Sequence, residues 1–308
     1  MGLELRPLSI VLRGQGPEMQ ILLHGGGLPL FTALQGVSSS THLEFHSYSG
    51  VPCHLNIIPN DAFSAGLPQG HQWKLLSDLE LLQGDGGAIL CQALGKFWYM
   101  MPSFDSRLEK IKLPPLYQDA AQKGDSQVVF FGGTFNPWHQ GHRACVELCS
   151  ARRLIVVPDA NPWKVKSEAT KSWWKSFLTQ RSSDSTCHFQ TYRRLCLELK
   201  DLEHVSVYPG FMGLKAPNPT VDWLPLTRAY NRSMLMGDDT FLGLLKWKDV
   251  EVLLGALQAL FVVPRKSTKE ELQKNADKIL KHKPKLEIHF LPEHSFQEIS
   301  STQLRERT

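Results

Sequence analysis

One segment, a strand that runs directly into a glycine turn and a pair of histidines, constrains the fold of this chain most. It covers residues 128–142 and reads VVFFGGTFNPWHQGH. Four apolar residues in a row predict a buried strand, and Gly132 and Gly133 allow the backbone to turn sharply and to approach a ligand closely. We therefore predict a strand, a tight turn and a helix in succession.

The same segment has the chemistry of a phosphate site. The free N–H groups of a glycine turn and of the first helical residues point towards an anion. His139 and His142 are three positions apart, so on a helix they share one face and both can reach one polyphosphate. The alternative interpretation is an ordinary strand–turn–helix with surface histidines.

Downstream, apolar runs alternate with helical patterns. Strands separated by helices imply right-handed crossovers and a doubly wound parallel sheet of the α/β class. Ligands bind outside the carboxyl ends of such strands, where the strand order reverses. The predicted strands are 128–131, 154–157, 205–208, 233–236, 260–263 and 286–291, and the predicted helices are 139–151, 191–200, 248–259 and 269–282.

Composition excludes several classes of protein. The chain has 308 residues, 42% hydrophobic residues and a formal charge of +4, which is too slight to argue for nucleic acid. No apolar run is long enough to cross a bilayer, and residues 1–10 do not resemble a signal peptide. The six cysteines have no C-x-x-C spacing, so we predict reduced thiols in a cytoplasmic protein and no zinc site.

A segment rich in proline and polar residues, 111–126, precedes the first predicted strand and indicates a linker. We therefore predict two domains, a small N-terminal α/β domain at 1–124 and the parallel-sheet domain at 125–308. Short strands are predicted at 88–92 and 97–100. Segment 163–190 contains three tryptophans and several lysines, and we interpret it either as an insertion over the site or as surface decoration.

A second polar motif, ISSTQLR at 299–305, lies near the end of the chain. Small hydroxyl residues before a helical turn can cap it and donate hydrogen bonds to phosphate oxygens. Arg305 offers a rigid fork of donors that suits a triphosphate better than lysine would.

These motifs resemble those of a known family. Residues 132–142 are similar to the G-G-T/S-F-D/N-P-x-H-x-G-H signature of the adenylyltransferase branch of the nucleotidyltransferase α/β-phosphodiesterase superfamily, and 299–305 is similar to its I-S-S-T-x-I/L-R motif. Segments 157–164, 220–224, 236–247 and 262–265 resemble the nicotinamide/nicotinic acid mononucleotide adenylyltransferases. Trp163 departs from the family's histidine. The resemblance implies a Rossmann-like nucleotidyltransferase fold for 125–308.

The resemblance also implies roles for individual residues. Each of the three roles draws on residues from more than one motif of the sequence. The catalytic residues are His139, His142, Lys164 and Arg305; the ATP-binding residues are Gly132, Gly133, Thr134, Phe135, Ser300, Ser301 and Thr302; the mononucleotide-binding residues are Asn136, Arg193, Gly237, Asp239 and Trp247.

The implied reaction needs no covalent intermediate, because the 5′-phosphate of a mononucleotide is mostly dianionic at neutral pH and can attack the α-phosphorus of ATP directly. We expect Mg²⁺ to be bound mainly through substrate phosphates and water, with no protein-built metal site. The expected partners are ATP and a pyridine mononucleotide, and a homo-oligomer is left open, as is the preference for amide or acid. Two alternatives stand: a pantetheine-phosphate adenylyltransferase and a non-catalytic nucleotide-binding regulator.

Residues 1–124 have only a faint similarity, around Thr32, Gly36, Ser38, Tyr48 and Ser49, to the competence-damage type of nicotinamide-mononucleotide deamidase domain. The nucleophilic serine of that domain would fall within 21–23, where the sequence has none. The similarity implies a catalytically inactive relative, and the alternative is an unrelated scaffold.

Overall fold

The computed structural model describes residues 8–15, 18–25, 41–59, 72–76, 86–119, 127–135, 137–149, 153–159, 187–214 and 216–306. Its first five strands form a mixed sheet, here called the N-terminal sheet, in the order β3-β4-β1-β2-β5. Only β1 and β4 run parallel. The strands are β1 Leu8–Arg13, β2 Gln20–Gly25, β3 Thr41–His46, β4 Pro52–Ile58 and β5 Lys74–Leu75.

The remaining six strands form the parallel sheet, in the order β11-β10-β9-β6-β7-β8. All its neighbouring strands are parallel, and the order reverses between β6 and β9. This is the doubly wound arrangement predicted from the sequence, so the fold class is confirmed. The strands are β6 Gln127–Gly133, β7 Arg153–Pro158, β8 Val205–Val207, β9 Asn231–Gly237, β10 Leu257–Val263 and β11 Glu287–Phe290.

Eight α-helices lie within the described residues. The predicted helix 269–282 is observed with the same bounds, because a capping box between Thr268 and Glu271 fixes its start. The helices are α1 Gly86–Gly95, α2 Gln140–Glu147, α3 Cys187–Glu198, α4 Thr220–Trp223, α5 Asp238–Gly243, α6 Val250–Ala256, α7 Lys269–His282 and α8 Ser301–Glu306. Short 3-10 turns cover Ser106–Leu108, Pro115–Tyr117, Leu224–Leu226 and Leu244–Lys246.

The predicted helix 248–259 is too long at both ends. Helix α6 stops at Ala256, and β10 begins at Leu257, three residues before the predicted strand. Leu257 and Ala259 are buried while Gln258 between them is exposed, which is the alternation of a strand. The apolar residues at this junction fit the periodicity of a helix as well as that of a strand. The predicted boundary between helix and strand therefore lies too far along the chain.

Two short strands predicted in the N-terminal part are wrong. Residues 88–92 belong to α1, and 97–100 form turns in which the N–H groups of Phe97 and Trp98 donate to the carbonyls of Leu94 and Gly95. Residues 88–94 of α1 are all buried, so the helix has no polar face. A helix buried on all sides shows no periodicity that distinguishes it from a buried strand.

The N-terminal residues pack directly against the chain that follows β8. The Tyr48 hydroxyl donates to the Gly210 carbonyl over 2.8 Å, and Gln92 Nε2 donates to the Met212 carbonyl over 3.2 Å. Trp98 meets Tyr208 edge-on, with ring centroids 5.5 Å apart. One hydrophobic cluster contains buried residues of both sheets, so the two sheets share part of their core.

Five cysteines within the described ranges are buried and free: Cys53, Cys91, Cys145, Cys149 and Cys196. No helix in the described part of the chain combines the length and apolar character needed to cross a bilayer.

Candidate functional site

The turn at the end of β6 is shaped by aromatic packing as much as by glycine. Phe135 has φ +45°, in the left-handed region that bulky residues rarely adopt. Its buried ring meets Phe131 at 5.1 Å, Trp138 at 5.3 Å and His142 at 5.1 Å between centroids. A conformation of this kind costs about 1–3 kcal/mol and persists only where its surroundings impose it. Gly132, three residues before Phe135, is exposed, and a Cβ atom added to it would meet open space.

His139 and His142, here called the histidine pair, meet as the motif predicted, although not on one helical face. Helix α2 begins at Gln140, and His139 is its N-cap in extended conformation. The Nδ1 atom of His139 accepts a hydrogen bond from the Gly141 N–H over 3.1 Å. The two imidazole rings stack with centroids 3.7 Å apart and planes 25° apart. The predicted helix start at residue 139 is therefore corrected, while the predicted closeness of the two rings is observed.

The surroundings of His139 keep its ring neutral. Burial lowers the pKa of His139 to about 4, and the charges of Arg265 and His294 act in the same direction. Because Nδ1 accepts from Gly141, the neutral ring carries its proton on Nε2. His139 can therefore donate one hydrogen bond from Nε2 to an anionic oxygen without being a cation.

The second motif lies against the first. The Ser301 hydroxyl donates to the Pro137 carbonyl over 3.0 Å, across 164 residues of sequence. Ser300 Oγ accepts from the Gln303 N–H over 3.2 Å at the start of α8. The Arg265 guanidinium donates to the carbonyls of Gln297 and Ile299, which holds the segment leading into α8. Both predicted motifs therefore meet at the carboxyl end of β6.

A buried carboxylate, Asp238, holds the backbone turn that carries Arg265. Asp238 Oδ2 accepts from the backbone N–H groups of Arg265, Lys266 and Ser267 at 2.7–3.0 Å, and Oδ1 accepts from that of Asp239 at 2.8 Å. Burial alone would raise the pKa of Asp238, but these hydrogen bonds outweigh it and hold the pKa below its ordinary value. Asp238 thus fixes the turn from which Arg265 reaches the second motif.

The residues predicted to bind the mononucleotide are distributed more widely. Gly237 ends β9, the strand next to β6 where the order reverses, and the exposed Asp239 follows in the first turn of α5. Trp247 is partly buried and packs against a hydrophobic cluster that includes Phe241 and Leu244. Arg193 lies on α3, where its guanidinium is beside the buried Tyr117 hydroxyl. Among the described residues its contact is therefore with Tyr117 and not with the histidine pair.

Several predicted site groups lie outside what the structure describes. Asn136 and Lys164 fall in undescribed positions, as does most of segment 163–190. For Thr302 and Arg305 the helical backbone of α8 is described but the side chains are not. Their roles stay predictions. Thr134 is described and lies in the turn between Gly133 and Phe135.

Sequence reasoning missed two groups around the histidine pair. Asp238 was overlooked beside Asp239, although an aspartate directly after a buried strand is a signal for a carboxylate that binds backbone N–H groups. His294 lies near the pair, with its Nε2 atom 3.9 Å from Cys145 Sγ. It is in an irregular segment, and no sequence pattern marks it.

Comparisons with known proteins agree with these motifs. No family model matches the chain. A probable nicotinate-nucleotide adenylyltransferase of Leptospira interrogans is 27% identical over 185 residues, which cover 57% of this chain and 81% of that protein. A probable enzyme of the same name from Stenotrophomonas maltophilia is 30% identical over 145 residues, covering 44% of this chain and 59% of the relative.

A solved structure of similar description is the Plasmodium falciparum nicotinic acid mononucleotide adenylyltransferase complexed with NaAD. It is 17% identical, with a TM-score of 0.37, over 59% of this chain and 83% of that one. The chain is thus similar in sequence to probable nicotinate-nucleotide adenylyltransferases, and its two motifs meet beside β6 of a doubly wound sheet.

Proposed function

We propose that the protein transfers the adenylyl group of ATP to a pyridine mononucleotide, forming the dinucleotide and pyrophosphate. The relatives are named for the nicotinate nucleotide, so deamido-NAD is the product we place first, and NAD from the nicotinamide nucleotide the second. The observation that supports this most directly is the hydrogen bond from Ser301 to the Pro137 carbonyl, which ties the second motif to the loop that bears the histidine pair.

The proposed chemistry is positioning and charge stabilisation. Gly133–Phe135 backbone N–H groups and the histidine pair would hold the triphosphate, with His139 donating from Nε2 to a phosphate oxygen. The 5′-phosphate of the mononucleotide attacks the α-phosphorus, the bond to the β-phosphate oxygen breaks, and pyrophosphate leaves. Donors placed where charge accumulates stabilise the transition state. Lys164 and Arg305 are proposed for the pyrophosphate, and Asp239 for a ribose hydroxyl of the mononucleotide.

The residues present fit a Mg²⁺ ion held mainly by substrate. Asp238, the buried carboxylate at this edge, already accepts four backbone N–H groups, which leaves it little capacity for a cation. Phosphate oxygens and water are therefore the proposed ligands, as Mg²⁺ prefers at nucleotide sites. Bound there, the ion would neutralise charge on the phosphates.

The proposal extends to the rest of the chain. We propose that 125–308 is the catalytic domain and that 1–124 is a separate domain packed against it without a catalytic role. A cytoplasmic location and the absence of nucleic-acid partners stay predictions, and a homo-oligomer is still open.

Pyrophosphate release with Mg-ATP and a panel of acceptors tests the proposal. Release with nicotinate or nicotinamide mononucleotide is the expected result. Release only with phosphopantetheine would favour the pantetheine-phosphate alternative. ATP binding without release for any acceptor would mean a non-catalytic regulator.

The role of the histidine pair is tested by His142→Ala. We expect kcat to fall by about 10²–10³, the cost of removing one donor to a transition-state oxyanion, with a much smaller change in the KM for the mononucleotide. His282→Ala, at the exposed end of α7, is the matched control and should leave both constants unchanged. Equal losses in kcat and in mononucleotide binding would show that the assigned role is wrong.

A further inference from the structure

Three potential metal ligands meet on the N-terminal sheet, far in sequence from the motifs of the proposed function. His42 and Glu44 are two positions apart on the edge strand β3 and therefore point to the same face. His54 on β4 is directly opposite Glu44 in the antiparallel register. The register therefore places all three side chains on one face of the sheet.

Their ligand atoms are close enough to share one ion. One atom from each residue lies within 4.8 Å of the other two. Glu44 Oε1 is 3.1 Å from His42 Nε2 and 3.6 Å from His54 Nδ1. Tetrahedral zinc with bonds of about 2.0–2.1 Å separates neighbouring ligand atoms by about 3.3 Å. The two distances to Glu44 lie on either side of that value and the two imidazole nitrogens lie within 4.8 Å of each other, so side-chain adjustment can bring all three atoms around one small cation.

A buried neighbour orients one of the rings. Asn56 Oδ1 lies 2.7 Å from His42 Nδ1, and Asn56 is buried opposite His42 in the strand register. Because Asn56 Oδ1 accepts from Nδ1–H, that nitrogen keeps its proton, and Nε2, which faces the Glu44 carboxylate, is the atom on which a metal would take the place of a proton. Zinc-bound histidines are usually held in this way by a partner on the second nitrogen.

We propose that His42, Glu44 and His54 form a binding site for a divalent transition metal, with zinc the best match. Two imidazoles and one carboxylate suit zinc and its neighbours, whereas Mg²⁺ and Ca²⁺ prefer sites made only of oxygen. Three protein ligands leave the fourth tetrahedral position to water or to a further ligand. The cysteine spacing predicted no zinc site, but this donor set uses no cysteine.

The accessibility of the three residues permits metal entry from solvent. The Glu44 side chain is 66% exposed, while those of His42 and His54 are 34% and 22% exposed. The two histidine rings lie nearly parallel with centroids 5.7 Å apart, which leaves their nitrogens beside the same carboxylate. The site is therefore open at the surface and supported below by the sheet.

Titration of the chelator-treated full chain with Zn²⁺ tests the proposal, with Co²⁺ as the spectroscopic probe. Calorimetry should show one tight equivalent of Zn²⁺, and Co²⁺ should give the visible absorption of a four-coordinate site. Glu44→Gln and His54→Gln should each weaken Zn²⁺ binding at least about tenfold and abolish that absorption. Excess Zn²⁺ should raise the melting temperature of the wild type but not of Glu44→Gln.

Matched controls distinguish this site from scattered histidines. His46→Gln changes an exposed histidine on the same strand, and His289→Gln changes one that pairs with Glu287, at 3.1 Å. Both should bind Zn²⁺ as the wild type does. Glu44 is exposed, so Glu44→Gln keeps the test valid if His54→Gln fails to fold. No tight equivalent in the wild type, or unchanged affinity in Glu44→Gln, would mean that the three residues form only a hydrogen-bonded group.

Discussion

Replacing Asp238 by asparagine should loosen the second motif without touching a proposed substrate contact. The carboxylate accepts three backbone N–H groups on Oδ2 and one on Oδ1. Asparagine keeps one oxygen, so at least one of these bonds is lost and the others become neutral. Hydrogen bonds to a charged group contribute about 1.5–3 kcal/mol each and neutral ones about 1 kcal/mol. The expected loss is therefore about 3 kcal/mol of the free energy of unfolding.

The pH dependence of this loss follows from the pKa of Asp238, which lies below its ordinary value. A lowered carboxylate pKa stabilises the folded state above the unfolded pKa, near ~4, and the stabilisation is lost as pH falls through the folded pKa. The difference between the wild type and Asp238→Asn should thus be complete at neutral pH and shrink below pH ~4.

Urea unfolding measures the free-energy difference, and hydrogen exchange locates it. The backbone amides of Lys266 and Ser267 should exchange faster in Asp238→Asn. Asp239→Asn is the matched control, because Asp239 is exposed and its Oδ1 atom accepts only a long hydrogen bond, 3.5 Å, from Thr240 Oγ1 among the described residues. That variant should stay within about 0.5 kcal/mol of the wild type. If Asp238→Asn were equally stable, the carboxylate would not organise this turn.

Two further predictions concern stability. Gly210→Ala should cost about 1–3 kcal/mol of the free energy of unfolding, because the new methyl group would collide with the fully buried Tyr208 ring. The control Gly255→Ala has open space around it on α6 and should be neutral or stabilising by up to about 1 kcal/mol. Thermal unfolding compares the two variants, and equal melting temperatures would contradict the predicted collision. Since the folded pKa of His139 is about 4 against an ordinary 6.5, the unfolded state binds more protons between these values, so the free energy of unfolding should decrease as pH falls from 6.5 to 4. His139→Gln should flatten that slope in urea unfolding at a series of pH values, and an unchanged slope would count against the lowered pKa.

The parallel sheet could be predicted from the sequence because its local signals agree with its tertiary structure. The apolar run before Gly132 and Gly133 is a strand buried by helices on both faces, and the capping residues of α7 mark its start. The closeness of the histidine pair also followed from spacing. The N-cap position of His139 did not, because it depends on the extended backbone of that residue, which the i, i+3 spacing does not reveal.

Long-range contacts account for what could not be predicted. Helix α1 was mistaken for strands because it is buried on all sides, which removes the polar face that identifies a helix. Asp238 acquires its role only when the chain returns through Arg265, 27 residues later. Arg193 matched a family position, but Tyr117 is distant from it in sequence, so no local pattern places the two side chains together.

The shared core of the two sheets has a consequence for cooperativity. Gly95 and Gly210 approach so closely that a Cβ on Gly95 would lie 2.7 Å from the Gly210 Cα, and Trp98 packs on Tyr208 at the same seam. We expect two sheets joined by such contacts to unfold together. A ligand that binds to either part would then raise the free energy of unfolding of both. The N-terminal residues, without a proposed catalytic group, therefore help to set the temperature up to which the histidine pair stays assembled.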